Sequence, residues 1–126
     1  SYKADYPQAS IIRLNYLYYM ALYDEALQWA ETILNQSLAV HHHAKAFLTM
    51  GMIDFKLEDY PSAIGTLKRV YSLFPEFPDI RRAAAYHIIK SMIQTSQLTE
   101  ASMHLTNYAV DLNQQQRLEL NQLLER

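Results

Sequence analysis

Apolar residues recur along the chain at intervals of three and four, the spacing that lines one face of an α-helix. Ile11, Leu14, Leu17 and Tyr18 form one stripe, Phe47, Met50, Gly51 and Asp54 or Phe55 the next, and Ala85, Ile88, Ile89 and Met92 a third. Between and after them run three more stripes, each opening on an alanine: Ala26, Ala30, Ile33 and Leu34; Ala63, Leu67, Val70 and Tyr71; Ala101, Leu105, Tyr108 and Ala109. The pattern predicts helices at about 7–20, 24–36, 40–56, 60–73, 79–95 and 99–111,. They pair as hairpins at 7–36, 40–73 and 79–111. Asp24 and Thr99 are the expected N-caps of two second helices, and Pro61 suits the first turn of another. Pro75 with Pro78 ends one hairpin and opens the next.

Three phrases repeat: LYDEAL at Leu22 to Leu27, DYPSAI at Asp59 to Ile64 and QLTEAS at Gln97 to Ser102. Their alanines, Ala26, Ala63 and Ala101, stand 37 and 38 residues apart, within the range of stacked helical repeats,. An alanine at Ala63 leaves unburied area that a larger side chain would bury. The expected reason is a close crossing of the two helices of its hairpin, with Gly51 as the matching small residue on the other helix. The last segment, NQQQRLELNQLLER, carries Leu118, Leu120, Leu123 and Leu124 among polar residues. It reads as a closing helix at about 114–126 that covers the last apolar face, or as a helix that docks on another chain,.

A length of 126 residues, half of them apolar, suits one domain, 1–126, that buries roughly two-thirds of its unfolded surface,. Two glycines and four prolines are too few for the turns of a many-stranded protein, so the expected class is all-α,. Eleven basic against thirteen acidic side chains, with no like-charge run beyond Arg81-Arg82, leave no nucleic-acid footprint,. Cysteine is absent, which excludes a disulfide frame and thiolate chemistry and suits a cytosol, a periplasm or a sheltered eukaryotic compartment,. No apolar run approaches the roughly 20 residues of a membrane span, and SYKADYPQ lacks the apolar core of a signal peptide. A soluble protein without direct membrane insertion is expected, cytoplasmic or, if bacterial, periplasmic. The chain begins with Ser rather than Met, as a processed form or a piece of a larger protein would; a targeting segment would then lie outside it.

Candidate chemistry adds little. The run His41 to His43 invites a metal, but consecutive helical residues point about 100° apart and cannot converge on one ion, so these histidines read as polar residues at a hairpin junction. His87 and His104 read as packing or surface residues. No serine sits on a Gly-flanked elbow, no glycine loop is available to cradle phosphate, and the pairs Asp24-Glu25 and Glu58-Asp59 fall at helix starts, where the helix dipole explains them. The expectation is a protein that is not an enzyme, with no cofactor and no metal. Ten tyrosines are the most unusual part of the composition, four of them within NYLYYMALY. They read as packing between hairpins, or, for Tyr18, Tyr19 and Tyr86, as part of an exposed binding surface.

In the stretch AKAFLTMGMIDFKLEDYPSAIGTLKRVYSLFP, Ala44 to Pro75, the chain resembles the tetratricopeptide repeat family: Phe47, Met50 before Gly51, Tyr60 before Ala63, Leu67, Val70 and a closing Pro75 occupy its characteristic places. The flanking hairpins keep mainly the alanine and its neighbours, with Leu14 and Ile89 in the place of Gly51. Units extended in this way, with a junction such as SLFPEFPDIRRAAAYH, are similar to those of bacterial envelope-associated repeat proteins. The resemblance implies a right-handed solenoid of three hairpins with a C-terminal capping helix, in which the first helix of each hairpin lines a concave groove. The groove residues it implies are Ile11, Asn15, Tyr18 and Tyr19; Lys45, Leu48, Met52, Phe55 and Lys56; and Tyr86, Lys90, Ile93 and Gln94. Asn15 matches the asparagine of the carboxylate clamp some members use, but Ile11 stands in place of its lysine and Thr49 in place of its second asparagine. The implied function is a protein-interaction module that binds a largely apolar segment of a partner protein. The alternative is a structural assembly unit whose end hairpins join like chains, with self-association.

Overall fold

The computed structural model describes the backbone of residues 2–126 and side-chain burial from Ser10 onward. The described residues form seven α-helices and no strand: α1 (Tyr2–Tyr19), α2 (Tyr23–Gln36), α3 (Val40–Lys56), α4 (Tyr60–Leu73), α5 (Pro78–Gln94), α6 (Leu98–Tyr108) and α7 (Gln114–Leu124), with a 3-10 turn at Ala109–Asp111 before α7. Helix α1 starts at Tyr2, earlier than the apolar stripe indicates, and α6 stops at Tyr108, where the backbone tightens into the 3-10 turn. The expected start of the domain at Ser1 lies outside the described residues.

One turn is used three times. Helices α1, α3 and α5 each end at a residue with positive φ, Ala21 at 59°, Glu58 at 64° and Ser96 at 61°. Around each, two amides fold back in the same pattern. Ala21 donates to Tyr18 and Leu22 to Leu17; Glu58 donates to Phe55 and Asp59 to Asp54; Ser96 donates to Ile93 and Gln97 to Met92. This is the Schellman arrangement, which satisfies the last carbonyls of a helix through a left-handed residue. The three positions are 37 and 38 residues apart, the same period as the alanines.

The turn also fixes where the second helices begin. Their N-cap residues are Leu22, Asp59 and Gln97, and only Asp59 caps with its side chain, accepting from the Ser62 amide. Asp24 and Thr99 are therefore not N-caps: they lie inside α2 and α6, two residues past the position that the Schellman turn dictates. Pro61 does occupy the first turn of α4, and Pro78 opens α5.

Each helix packs on the next, most extensively α3 on α4 and α4 on α5. The first helices of the hairpins also touch one another in series, α1 with α3, α3 with α5 and α5 with α7, whereas no comparable contact among the described residues joins α2 to α4 or α4 to α6. Ala26, Ala63 and Ala101 are fully buried. Gly51 is the closest point of the α3–α4 crossing. A Cβ there would lie 2.5 Å from Leu67 Cδ2 and 2.7 Å from its Cγ, so the glycine faces Leu67 rather than Ala63. Leu67 is itself fully buried.

The C-terminal end is fastened by polar contacts. The Tyr71 hydroxyl donates to Asp111 and accepts from Arg81 Nη2 at 2.6 Å, while the Tyr108 ring lies 4.4 Å from that of Tyr71. Arg117 of α7 donates to the carbonyls of Ala109 and Leu112 and so ties α7 to the 3-10 turn. Asn113 and Gln116 form a capping box at the start of α7,. At the other end the Trp29 indole N–H donates to the Ser10 carbonyl at 2.8 Å and clips α2 to α1.

The two glycines separate packing from propensity. Gly65 lies on exposed α4 surface, and a Cβ there meets nothing within 4 Å. Gly65→Ala is expected to stabilise by about 0.5–1 kcal/mol, the helix-propensity difference. Gly51→Ala gains the same propensity but drives a methyl into Leu67, at a cost of about 1–3 kcal/mol. Urea denaturation of the two variants should therefore shift the midpoint up for the first and down for the second.

Candidate functional site

The residues implied for a groove all lie on the first helices α1, α3 and α5, but the structure sorts them into three environments. Asn15, Tyr18, Lys45, Met52, Phe55, Tyr86, Lys90 and Ile93 are half-buried. Tyr19, Lys56 and Gln94 are exposed. Leu48, expected to face a partner, is only 2 % exposed and belongs to the main core. An apolar side chain one turn after Ala44 falls into the layer between α3 and its neighbours, which removes Leu48 from any binding surface. Ile11 is half-buried against the cluster of Leu14, Ala30, Ile33 and Ala46, so it contributes more to hairpin packing than to an open face. Thr49 is buried and donates to the Lys45 carbonyl, so it too faces inward.

An aromatic line crosses from α3 to α5. Phe55 packs edge-on against Tyr60, 5.5 Å between centroids, and against His87 at 5.2 Å, and His87 meets Tyr86 at 5.1 Å. His87 donates through Nδ1 to the Ala83 carbonyl, 2.8 Å away, so in its neutral form Nε2 is the acceptor,. Burial, above all, pulls the His87 imidazole below its ordinary value; Lys90 and Lys56 push the same way, while the Ala83 carbonyl and Glu119 oppose them. On α1 a second group gathers Tyr18 with Tyr19 at 5.3 Å and Tyr23 at 6.1 Å. Burial and the neighbouring phenols hold the Tyr18 hydroxyl above its ordinary range, so it stays neutral and can donate.

Tyr86 and Lys90 are engaged within the molecule. The Tyr86 hydroxyl donates to the Glu119 carboxylate of α7 at 2.7 Å, Lys90 Nζ lies 3.2 Å from the same carboxylate, and Lys90 also donates to the Tyr86 oxygen at 3.1 Å. Chiefly through the Tyr86 hydrogen bond, and also through Lys90, Glu119 is held below the usual carboxylate range. The two side chains expected to face a partner are thus bonded to the closing helix in this structure. Sequence reading missed Glu119 because its partners lie about thirty residues away. Its only local signal is that it is the one charged residue between Arg117 and Leu124 of a helix otherwise made of Gln, Asn and Leu.

The run His41 to His43 opens α3. His42 Nδ1 lies 3.0 Å from Ser37 Oγ, His43 Nε2 donates to the Ser37 carbonyl at 2.6 Å, and His41 packs edge-on against Phe77. Two of the three thus turn back onto the end of α2. Among the described residues no group of three or more His, Asp or Glu gathers as a metal site, and no helix is long and apolar enough to cross a membrane. A second feature was not foreseen: an apolar pocket of about 170 Å³ between α3 and α4, lined by Phe47, Met50, Thr66, Arg69, Val70, Leu73 and Phe74. It has room for about one side chain, well below the roughly 300 Å³ at which small-molecule sites begin.

Compared with protein-family models, curated proteins and solved structures, the chain matches none of them.

The position of His87 makes stability fall on acidification. Its folded-state value lies below the ordinary 6.5, so above 6.5 both folded and unfolded chains are neutral there and the contribution is complete,. Below 6.5 the unfolded chain takes the proton first, and stability declines as pH falls toward the folded value. Glu119 acts in the same direction in a lower window, beneath its ordinary 4.5. His87→Asn keeps a donor near Ala83 without a titrating ring and should remove most of the loss between pH 7 and 5.5. The lowered His42 acts in the same direction. Urea midpoints at the two pH values measure this directly.

Proposed function

We propose that the chain is a non-enzymatic protein-interaction module of the tetratricopeptide type. Its three hairpins and closing helix stack as a right-handed solenoid, and its first helices take an extended segment or amphipathic helix of a partner protein. The observation that carries the reading is the asymmetry of packing: α1, α3, α5 and α7 touch in series while α2, α4 and α6 have no comparable contact. A stack held closer on one side than on the other curves, with the first helices on its inner side. The flank of that inner side carries Tyr18, Lys45, Met52 and Phe55, with exposed Tyr19 and Lys56 beside them. Aromatic and methionine side chains supply adaptable apolar contact without a fixed charge pattern, which suits an apolar partner segment. The α5 end of the face is narrowed by the bond from Tyr86 and Lys90 to Glu119, so the binding stretch runs along α1 and α3.

Peptides selected from a displayed random library against the protein give the test. Met52→Glu and Lys45→Glu should each weaken binding about tenfold or more while circular dichroism stays unchanged, and Lys68→Glu on exposed α4 surface should not. Raising salt from low to high should change affinity only about two- to threefold, since screened charge pairs are not the main contact. Peptides whose affinity ignores both α3 variants, or collapses with salt, would overturn the reading.

A further inference from the structure

The first and last helices described are not alike. At the C-terminal end α7 turns Leu120 fully inward and shows Gln114, Gln115, Asn121 and Gln122 to solvent, with Leu118 its one large apolar residue exposed. At the N-terminal end α1 does the reverse. The described exposed positions of α1 and of Met20 just after it are Ile12, Arg13, Tyr16, Tyr19 and Met20, and four of these five are large and apolar. At 100° per residue, Ile12, Tyr16, Tyr19 and Met20 fall within about 100° of arc, a single continuous face.

The repeat shows what this face lacks. Thirty-seven residues after Ile12 and Tyr16 stand Thr49 and Ile53, and thirty-eight further on stand His87 and Ser91. Thr49, Ile53 and Ser91 are 1 %, 0 % and 0 % exposed, whereas Ile12 and Tyr16 are 62 % and 59 % exposed. Ile53 is covered by the preceding hairpin, through Leu17 and Ala26. The equivalent positions Ile12 and Tyr16 on α1 have larger apolar side chains and, among the described residues, no cover, while Tyr19 and Met20 beside them correspond to Lys56 and Leu57, which are exposed in the repeat as well.

We propose that a second copy of this chain covers it, the two α1 helices lying antiparallel across a two-fold axis at Tyr16. The face is self-complementary in that arrangement. Ile12 of one copy meets Met20 of the other, the two Tyr16 rings meet each other, and Arg13 lies opposite Tyr19, so no like charges oppose. Arg13 is already held at the rim of the face, its guanidinium 4.2 Å from the Trp29 ring, and is placed to stack on a second aromatic,. With Leu22 at the end of the stripe, the exposed part of these side chains amounts to roughly 600–700 Å² per copy, close to the about 800 Å² per partner of a stable interface. The exposed surface of α7, polar except for Leu118, offers no counter-face of comparable apolar area, which disfavours a head-to-tail chain and favours the closed pair,.

Sedimentation equilibrium between about 1 and 100 μM tests the pairing, since interfaces of this size hold in or below that range. The expected mass is twice the 14.7 kDa of the chain. Tyr16→Asp should give a monomer with an unchanged melting temperature measured at equal low concentration, because Tyr16 is exposed within one copy. The chain has no cysteine, so single cysteines report the geometry cleanly. Tyr16→Cys should cross-link into a dimer under mild oxidation, and Leu118→Cys on α7 should not. A wild-type monomer at 100 μM would overturn the proposal and leave the face to a helix of another protein. A dimer that survives Tyr16→Asp, or that cross-links through Leu118→Cys but not Tyr16→Cys, would overturn it as well. The two faces share Tyr19, but the variants read here, at Tyr16 and Leu118, are distinct from Met52 and Lys45, so a loss of pairing and a loss of peptide binding are read separately.

Discussion

The structure depends on the closeness with which α3 crosses α4. Gly51 has no side chain because Leu67 occupies that space, and the buried Ala63 lies on the same face one turn earlier. From this crossing the rest follows by contact, since α5 lies on α4, α3 touches both α1 and α5, and the main core runs from Ala44 through Leu67 and Val70 to Ile88, Leu105 and Leu120. The flanking hairpins have Leu14 and Ile89 where the central one has Gly51, and both are fully buried. The central crossing is the one that a glycine opens to its neighbour's side chain.

The period is written twice, once in side chains and once in backbone. The alanines at 37 and 38 residues set where second helices are small; the left-handed residues at the same intervals set where first helices end. Ala21, Glu58 and Ser96 carry that conformation without glycine, each at a penalty of order 1 kcal/mol that the two returning amide bonds offset. Polar contacts then finish the ends. Tyr71, Arg81 and Asp111 tie α4, α5 and the 3-10 turn together, and Tyr86, Lys90 and Glu119 tie α5 to α7. The same tyrosine-rich composition that packs the hairpins therefore also latches the closing helix, and what it leaves over, on α1 and α3, forms the faces proposed for partners.

The helices were legible because apolar residues at three- and four-residue spacing must face a core, and the alanine repeat fixed how they pair. The N-caps at Asp24 and Thr99 were misplaced because good capping residues were weighed, while the Schellman turn that decides the position leaves no mark in side-chain type. Leu48 was misread since spacing places it on a flank but does not say how near the next first helix comes. Glu119 and Asp111 were invisible for a different reason: each gains its meaning from a tyrosine and a cation brought to it only by stacking. The pocket beside Phe47 and Met50 belongs to the same class, a shape set by two helices together.

A double-mutant cycle between Gly51 and Leu67 measures the central crossing most directly. Gly51→Ala, Leu67→Ala and the double variant are unfolded in urea, and the coupling free energy is taken from the four stabilities. If the glycine exists to admit Leu67, the added methyl should be harmful in the wild-type background and harmless or stabilising once Leu67 is truncated, a coupling of about 1–3 kcal/mol. Additive effects within about 0.5 kcal/mol would contradict the account, because they would mean that the two residues do not share the space on which the stack is built.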